Sequence, residues 1–167
     1  MIPQTEPATA ERPVIAYGDG SCIPNPGPGG HAWCAKLPDG RLMDYQRHDP
    51  AATNITQELK ALVAFLEWLP LDQPAIFRTD SEHVTKGVNE YLPGWKARGW
   101  RKSDGKPIAN PDLWKQVDAL LSARIVIIVW TKGHAGERGN ERADRLADEA
   151  ARNWGLAEGR LREVKTW

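Results

Sequence analysis

Hydrophobic and polar positions in this chain alternate between a strand period and a helical one. Val14-Ile15-Ala16-Tyr17 is the first apolar run, and it ends at Gly18-Asp19-Gly20-Ser21. A Pro- and Gly-dense stretch from Pro24 to Gly30 predicts a turn. His31 to Leu37 and Arg41 to His48 predict two strands joined through Pro38-Asp39-Gly40, a hairpin signal. Three consecutive antiparallel strands are therefore expected at the start. From about Asn54 to Leu69 the period becomes helical, with Thr53 or Asn54 capping the first turn. Leu62, Phe65, Leu66 and Leu69 form its inward stripe, and Glu58 lies on that stripe one turn before Leu62.

Ala75 to Thr79 predicts a short strand stopping at Asp80-Ser81, followed by a helix to about Tyr91. Residues 92–110 are rich in Trp, Gly and basic side chains, and Asn110-Pro111 then opens a helix to Ser122. Arg124 to Trp130 is almost wholly apolar and β-branched, which predicts a strand buried on both faces. The last helix is expected from about Asn140 to Trp154, with Ala143, Leu146, Ala147 and Ala150 on one side. The order is strand, strand, strand, helix, strand, helix, basic segment, helix, strand, helix. That order defines an α/β fold, and functional groups in such folds gather at the carboxyl ends of strands.

The 167 residues suit one domain with a sizeable core. Formal net charge is zero, so contact with a polyanion has to come from a local patch. Two cysteines, Cys22 and Cys34, are too few for a disulfide framework and point to reduced thiols in a cytoplasmic protein. No apolar run is long enough to span a membrane, and residues 1–13 read as a loose lead-in rather than a signal peptide. The tail at 155–167 carries little signal. Trp33, Trp68, Trp114 and Trp130 are read as structural.

Candidate chemistry rests on Asp19, Glu58, Asp80 and Asp144. Asp19 and Asp80 fall at predicted strand ends, and Glu58 faces inward. Carboxylates so placed repel one another unless a cation joins them. An all-oxygen set suits Mg²⁺, with Mn²⁺ as a substitute. Four carboxylates can hold two ions for in-line displacement at phosphorus. Neither a nucleophile elbow nor a zinc-spaced His/Cys set is present. His134, in Lys132-Gly133-His134-Ala135-Gly136, is placed to carry a proton. Lys96, Arg98, Arg101 and Lys102, interleaved with Trp95 and Trp100, suit a nucleic-acid backbone.

These residues resemble type 1 ribonuclease H in its bacterial form with a basic protrusion. The matching stretches are Asp19-Gly20-Ser21-Cys22, Asn25-Pro26-Gly27-Pro28-Gly29-Gly30, Thr53-Asn54 with Glu58-Leu59, and Thr79-Asp80-Ser81. Gly94 to Trp100, Asp112-Leu113-Trp114, Lys132 to Gly136 and Asn140 to Asp144 follow in family order. The resemblance implies a five-stranded mixed sheet flanked by helices, with a catalytic domain at 14–154 and the protrusion at about 92–110. It implies cleavage of the RNA of RNA–DNA hybrids with two Mg²⁺ ions, leaving 3′-hydroxyl and 5′-phosphate ends, and a monomer is the simplest expectation. By resemblance Asp19, Glu58, Asp80 and Asp144 are metal ligands and His134 aids proton transfer or product release. Asn25 and Asn54 would touch the hybrid's minor groove, Thr53 a DNA phosphate, and Trp95 the wall of the DNA channel. Gly18, Ile55, Glu82 and Gly94 depart from the usual family pattern. A non-catalytic hybrid-binding module and a related-fold DNA nuclease, resolvase or integrase stand as alternatives.

Overall fold

The computed structural model describes residues 12–133 and 136–167. Most of the lead-in therefore lies outside the described residues. Strands β1 (Val14–Cys22), β2 (Gly27–Lys36) and β3 (Leu42–Ala52) form an antiparallel meander. Helix α1 (Asn54–Trp68) follows, then β4 (Ala75–Thr79), which pairs parallel to β1. Helix α2 (Glu82–Lys86) runs through a π-helical turn, Gly87–Tyr91, into α3 (Leu92–Ala97). Helix α4 (Pro111–Ser122), β5 (Val126–Trp130), α5 (Arg138–Arg152) and β6 (Arg160–Val164) complete the chain. The sheet order is β5-β4-β1-β2-β3-β6.

The sheet has six strands where five were expected. Residues of the low-signal tail add β6 antiparallel to Leu42–Gln46 of β3. Strands β1 and β2 are also longer than their apolar runs. The glycines of 27–30 are strand rather than turn, and helix α5 crosses the last of them closely. A Cβ on Gly30 would sit 2.4 Å from the Ala151 nitrogen. Only glycine allows that approach, so hydrophobicity could not announce this part of the strand.

Two apolar layers hold the sheet. On one face Trp33, Phe65, Leu66, Phe77, Trp114 and Ile128 form the larger cluster, with α1 and α4 above it. Trp33 is fully buried, stacked on Tyr45 at 5.9 Å and tilted on Trp68 at 4.7 Å. The predicted α1 stripe, Leu62, Phe65, Leu66 and Leu69, is buried. On the other face Ala32 and Cys34 meet Ala143, Leu146 and Ala147 of α5. Small residues on both sides let α5 lie close to the sheet.

The expectation that β5 is buried on both faces is overturned. It is the outermost strand, and α5 packs over β1, β2 and β3 rather than over it. Ile128 is buried, whereas Ile125 is 69% and Ile127 60% exposed. An apolar run alone does not distinguish a central strand from an edge. The Ile125 carbonyl bonds Ala75 and the Thr131 amide bonds Thr79, so the alternate peptides of β5 face outward. One of these outward groups, the Ile128 carbonyl, accepts from Asn89 Nδ2 at 3.1 Å.

Candidate active site

Asp19 lies inside β1, opposite Ala32 of β2, rather than at the strand's end. The parallel pairing with β4 stops at Tyr17 and Arg78, so Asp19 stands where that pairing opens. Its position among the carboxyl ends of the parallel strands is thus kept. Asp80 directly follows β4, and Asp144 lies on α5. Glu58 lies in the second turn of α1, whose Thr53 cap accepts from the Thr56 amide at 3.2 Å.

Asp19 is only 7% exposed. Burial first, then the charge of Asp80, then a hydrogen bond with Asp144 and its charge, push the Asp19 carboxyl well above the usual carboxylate range. The Gly20 amide, donating to Asp19 Oδ1 at 2.9 Å, pulls the other way. Glu58 is also raised, by burial first and then by the charge of Asp80, against a hydrogen bond from Ser81 Oγ of 2.7 Å. Four carboxylates from four separate segments are thereby linked.

The donor set is all oxygen, and a divalent cation among these groups would favour their ionised forms. The raised Asp19 and Glu58 fit such an ion. Among the described residues no group of three or more His, Cys, Asp or Glu side chains already stands in ligand geometry. Asp19, Asp80 and Asp144 are joined through charge and, between Asp19 and Asp144, a hydrogen bond. His134 lies outside the described residues.

Residues not singled out for chemistry shape this centre. Ser81 holds Glu58 and also caps α2, accepting from the Val84 amide at 3.2 Å. Trp130, assigned to structure, donates from Nε1 to the Asp80 carbonyl at 3.1 Å and is 46% exposed. A Cβ on Gly133 would lie 2.7 Å from Asp80 Oδ2, so glycine there admits the carboxylate. Ser81 and Gly133 were visible as motif neighbours of Asp80 and His134. Trp130 carried no such signal.

The residues matched to hybrid contacts form two groups. Asn25, Thr53 and Asn54 adjoin, with the Asn54 amide donating to Asn25 Oδ1 at 3.2 Å. The basic segment packs on α4 instead. Trp95 packs edge-on to Trp114 at 5.0 Å, and Lys115 lies 5.8 Å over Trp100. Both tryptophans are half-buried, so they anchor the segment to the body while presenting an edge. Lys96 pairs with Asp118 at 3.1 Å. Arg98 and Arg101 donate to the Arg101 and Gly105 carbonyls, which orients both guanidinium groups, and Lys102 is exposed.

A model of the RNase H family matches residues 11–152. The Ribonuclease H of Methylorubrum extorquens (strain PA1) is 50% identical over 134 residues, covering 80% of this chain and 58% of that protein. That of Thiobacillus denitrificans (strain ATCC 25259 / T1) is 44% identical over 137 residues, covering 81% of this chain and 91% of its own. The crystal structure of LC9-RNase H1, a type 1 RNase H with the type 2 active-site motif, superposes with a TM-score of 0.74 at 29% identity. It covers 86% of this chain and 72% of that one. The chain thus spans less than two thirds of the first relative and about nine tenths of the second. The mixed sheet and the family match over residues 11–152 define the class, a nuclease among the hydrolases. Within that class, the chain belongs to the ribonuclease H family.

Proposed function

We propose that this chain is an endonuclease that hydrolyses the RNA strand of RNA–DNA hybrids, as a monomer in the cytoplasm. The observation that carries the reading is the place of Asp19, 7% exposed where the β1–β4 pairing opens, with its carboxyl raised by burial first and then by Asp80 and Asp144 from distant segments. Asp19, Glu58, Asp80 and Asp144 would hold two divalent ions, Mg²⁺ or in its place Mn²⁺. When bound, such ions supply charge stabilisation at the scissile phosphate and activation of water.

The chain's own residues do the rest. Ser81 and the Gly20 amide orient Glu58 and Asp19 by hydrogen bonds. Asn25 and Asn54 offer donors and acceptors suited to a 2′-hydroxyl, the group that separates RNA from DNA. Thr53 would meet a DNA phosphate. Trp95 and Trp100, with Lys96, Arg98, Arg101 and Lys102, would carry the DNA strand. His134 would move a proton or assist product release. Water attacks phosphorus, the bond to the 3′ oxygen breaks, and that oxygen takes a proton. The products are a 3′-hydroxyl and a 5′-phosphate.

The test is a labelled oligonucleotide panel with Mg²⁺: hybrid, double-stranded DNA, double-stranded RNA and single strands. Cleavage of the RNA in the hybrid alone is expected. Asp19→Asn is expected to abolish cleavage while hybrid binding, read by fluorescence anisotropy, stays within about threefold. Equal cleavage of double-stranded DNA would point to a nuclease of a different substrate class. Full turnover in Asp19→Asn would remove that carboxylate from the mechanism.

A further inference from the structure

Glu137 immediately precedes α5 and reaches three other elements. Its Oε1 accepts from Tyr17 Oη of β1 at 2.9 Å. Its Oε2 accepts from Thr131 Oγ1, just beyond β5, at 2.6 Å. Arg78 Nη1 of β4 lies 3.8 Å from Oε1. One carboxylate therefore ties the middle of β1 and the carboxyl ends of β4 and β5, three adjacent strands, to the start of a helix. Glu137 occupies the cap position of α5, yet its side chain makes no capping hydrogen bond. A side chain at that position ordinarily serves its own helix. Here it is committed across the sheet instead.

The first turn of α5 is pressed onto the same place. A Cβ on Gly139 would lie 2.1 Å from the Tyr17 ring. Cys34 Sγ donates to the Gly139 carbonyl at 3.2 Å, and Trp167 meets Tyr17 edge-on at 6.1 Å. Asp144 lies seven residues on from Glu137, about 10 Å along the axis at 1.5 Å per residue. A helix moves as a rigid rod over two turns, so a tilt at Glu137 displaces Asp144 relative to Asp19.

We propose that Glu137 is a positioning residue: with Tyr17, Thr131 and Arg78 it forms a clamp that sets the approach of Asp144 to Asp19 and thereby the affinity of the site for divalent cations. This rests on the reading of the acids as metal ligands. Groups that orient ligands from behind typically change metal affinity by 10–100-fold when removed. Glu137→Ala is expected to weaken Mg²⁺ binding roughly tenfold, towards the lower end of that range because the clamp acts through a helix. Tyr17→Phe and Thr131→Val remove one hydrogen bond each with little change of shape, and a weakening of about threefold is expected for each.

The measurement is calorimetric titration of the metal-free full chain with Mg²⁺ and with Mn²⁺, without nucleic acid, beside a thermal melt of each variant. Weaker binding in all three, with Glu137→Ala absorbing the effect of either partner in the double variant, establishes the clamp. A lowered melting temperature with Mg²⁺ affinity within twofold of the parent overturns it, because Glu137 would then only stabilise the fold. If Glu137→Ala does not fold, Tyr17→Phe and Thr131→Val decide by the same criterion. A parent chain that takes up neither ion overturns the metal reading and the clamp together. A parent that binds while every variant matches it overturns the clamp alone.

Discussion

His31 shows how a single buried side chain sets a response to acid. It is 6% exposed, and its Nδ1 lies 2.9 Å from Gln57 Oε1. Burial lowers its pKa to about 4, and the nearby Lys60 and Arg47 act in the same direction, against the Gln57 hydrogen bond. The neutral ring is the folded form, so its contribution is complete above the ordinary value of 6.5 and is lost as pH falls towards about 4. That loss is roughly 3 kcal/mol, at about 1.4 kcal/mol per pKa unit. Urea unfolding across this pH window is expected to fall more steeply in the parent than in His31→Gln, which cannot titrate. Equal slopes would show that His31 does not drive the change. Two departures from the family pattern also gain a cause at this scale. At Gly18, a Cβ would lie 2.1 Å from the Phe77 ring, so a side chain there is excluded by Phe77. At Gly94, the Arg98 guanidinium fills the space, 3.0 Å from where a Cβ would be. Phe77 is far from Gly18 in sequence, so only the fold could reveal that pairing, whereas Arg98 lies one helical turn after Gly94.

Among the elements, those with a strong period were legible and those shaped by close approach were not. The α1 stripe and the apolar side of α5 follow directly from helical spacing, and both are buried. The helix expected to end at Tyr91 instead continues through the π-helical turn to Ala97. Pro93 sits in the first turn of α3, where its missing N–H is tolerated. The acids were legible as residue types in motifs, but their mutual influence was not, since it depends on β1 outlasting its pairing with β4. Gly30 tests how tightly one element holds another. Gly30→Ala places a methyl against the α5 backbone and is expected to cost about 1–3 kcal/mol, the usual penalty of overpacking. Because α5 also carries Asp144, hybrid cleavage is expected to slow. A melting temperature and cleavage rate equal to the parent's would mean that the helix yields freely.

For the molecule as a whole, zero formal charge makes the nucleic-acid interface a local matter. Among the described residues no helix is long and apolar enough to cross a membrane. Neutralising Lys96, Arg98, Arg101 and Lys102 together is expected to weaken hybrid binding and flatten its dependence on salt. The slope should fall by roughly 0.9 for each phosphate that is no longer neutralised. Lys96 is expected to contribute least, since Asp118 already occupies it. Binding isotherms at several salt concentrations check this, and an unaltered slope would place the hybrid elsewhere. The tail that carried little signal in the sequence forms one margin of the sheet as β6. At the opposite margin, Ile125 to Trp130 contains no charged residue or proline to discourage another chain from adding on. The Asn89 amide interrupts that ladder at Ile128. Its expected consequence is colloidal rather than catalytic: one side-chain amide takes up an outward carbonyl that would otherwise help a sticky border template growth at high concentration.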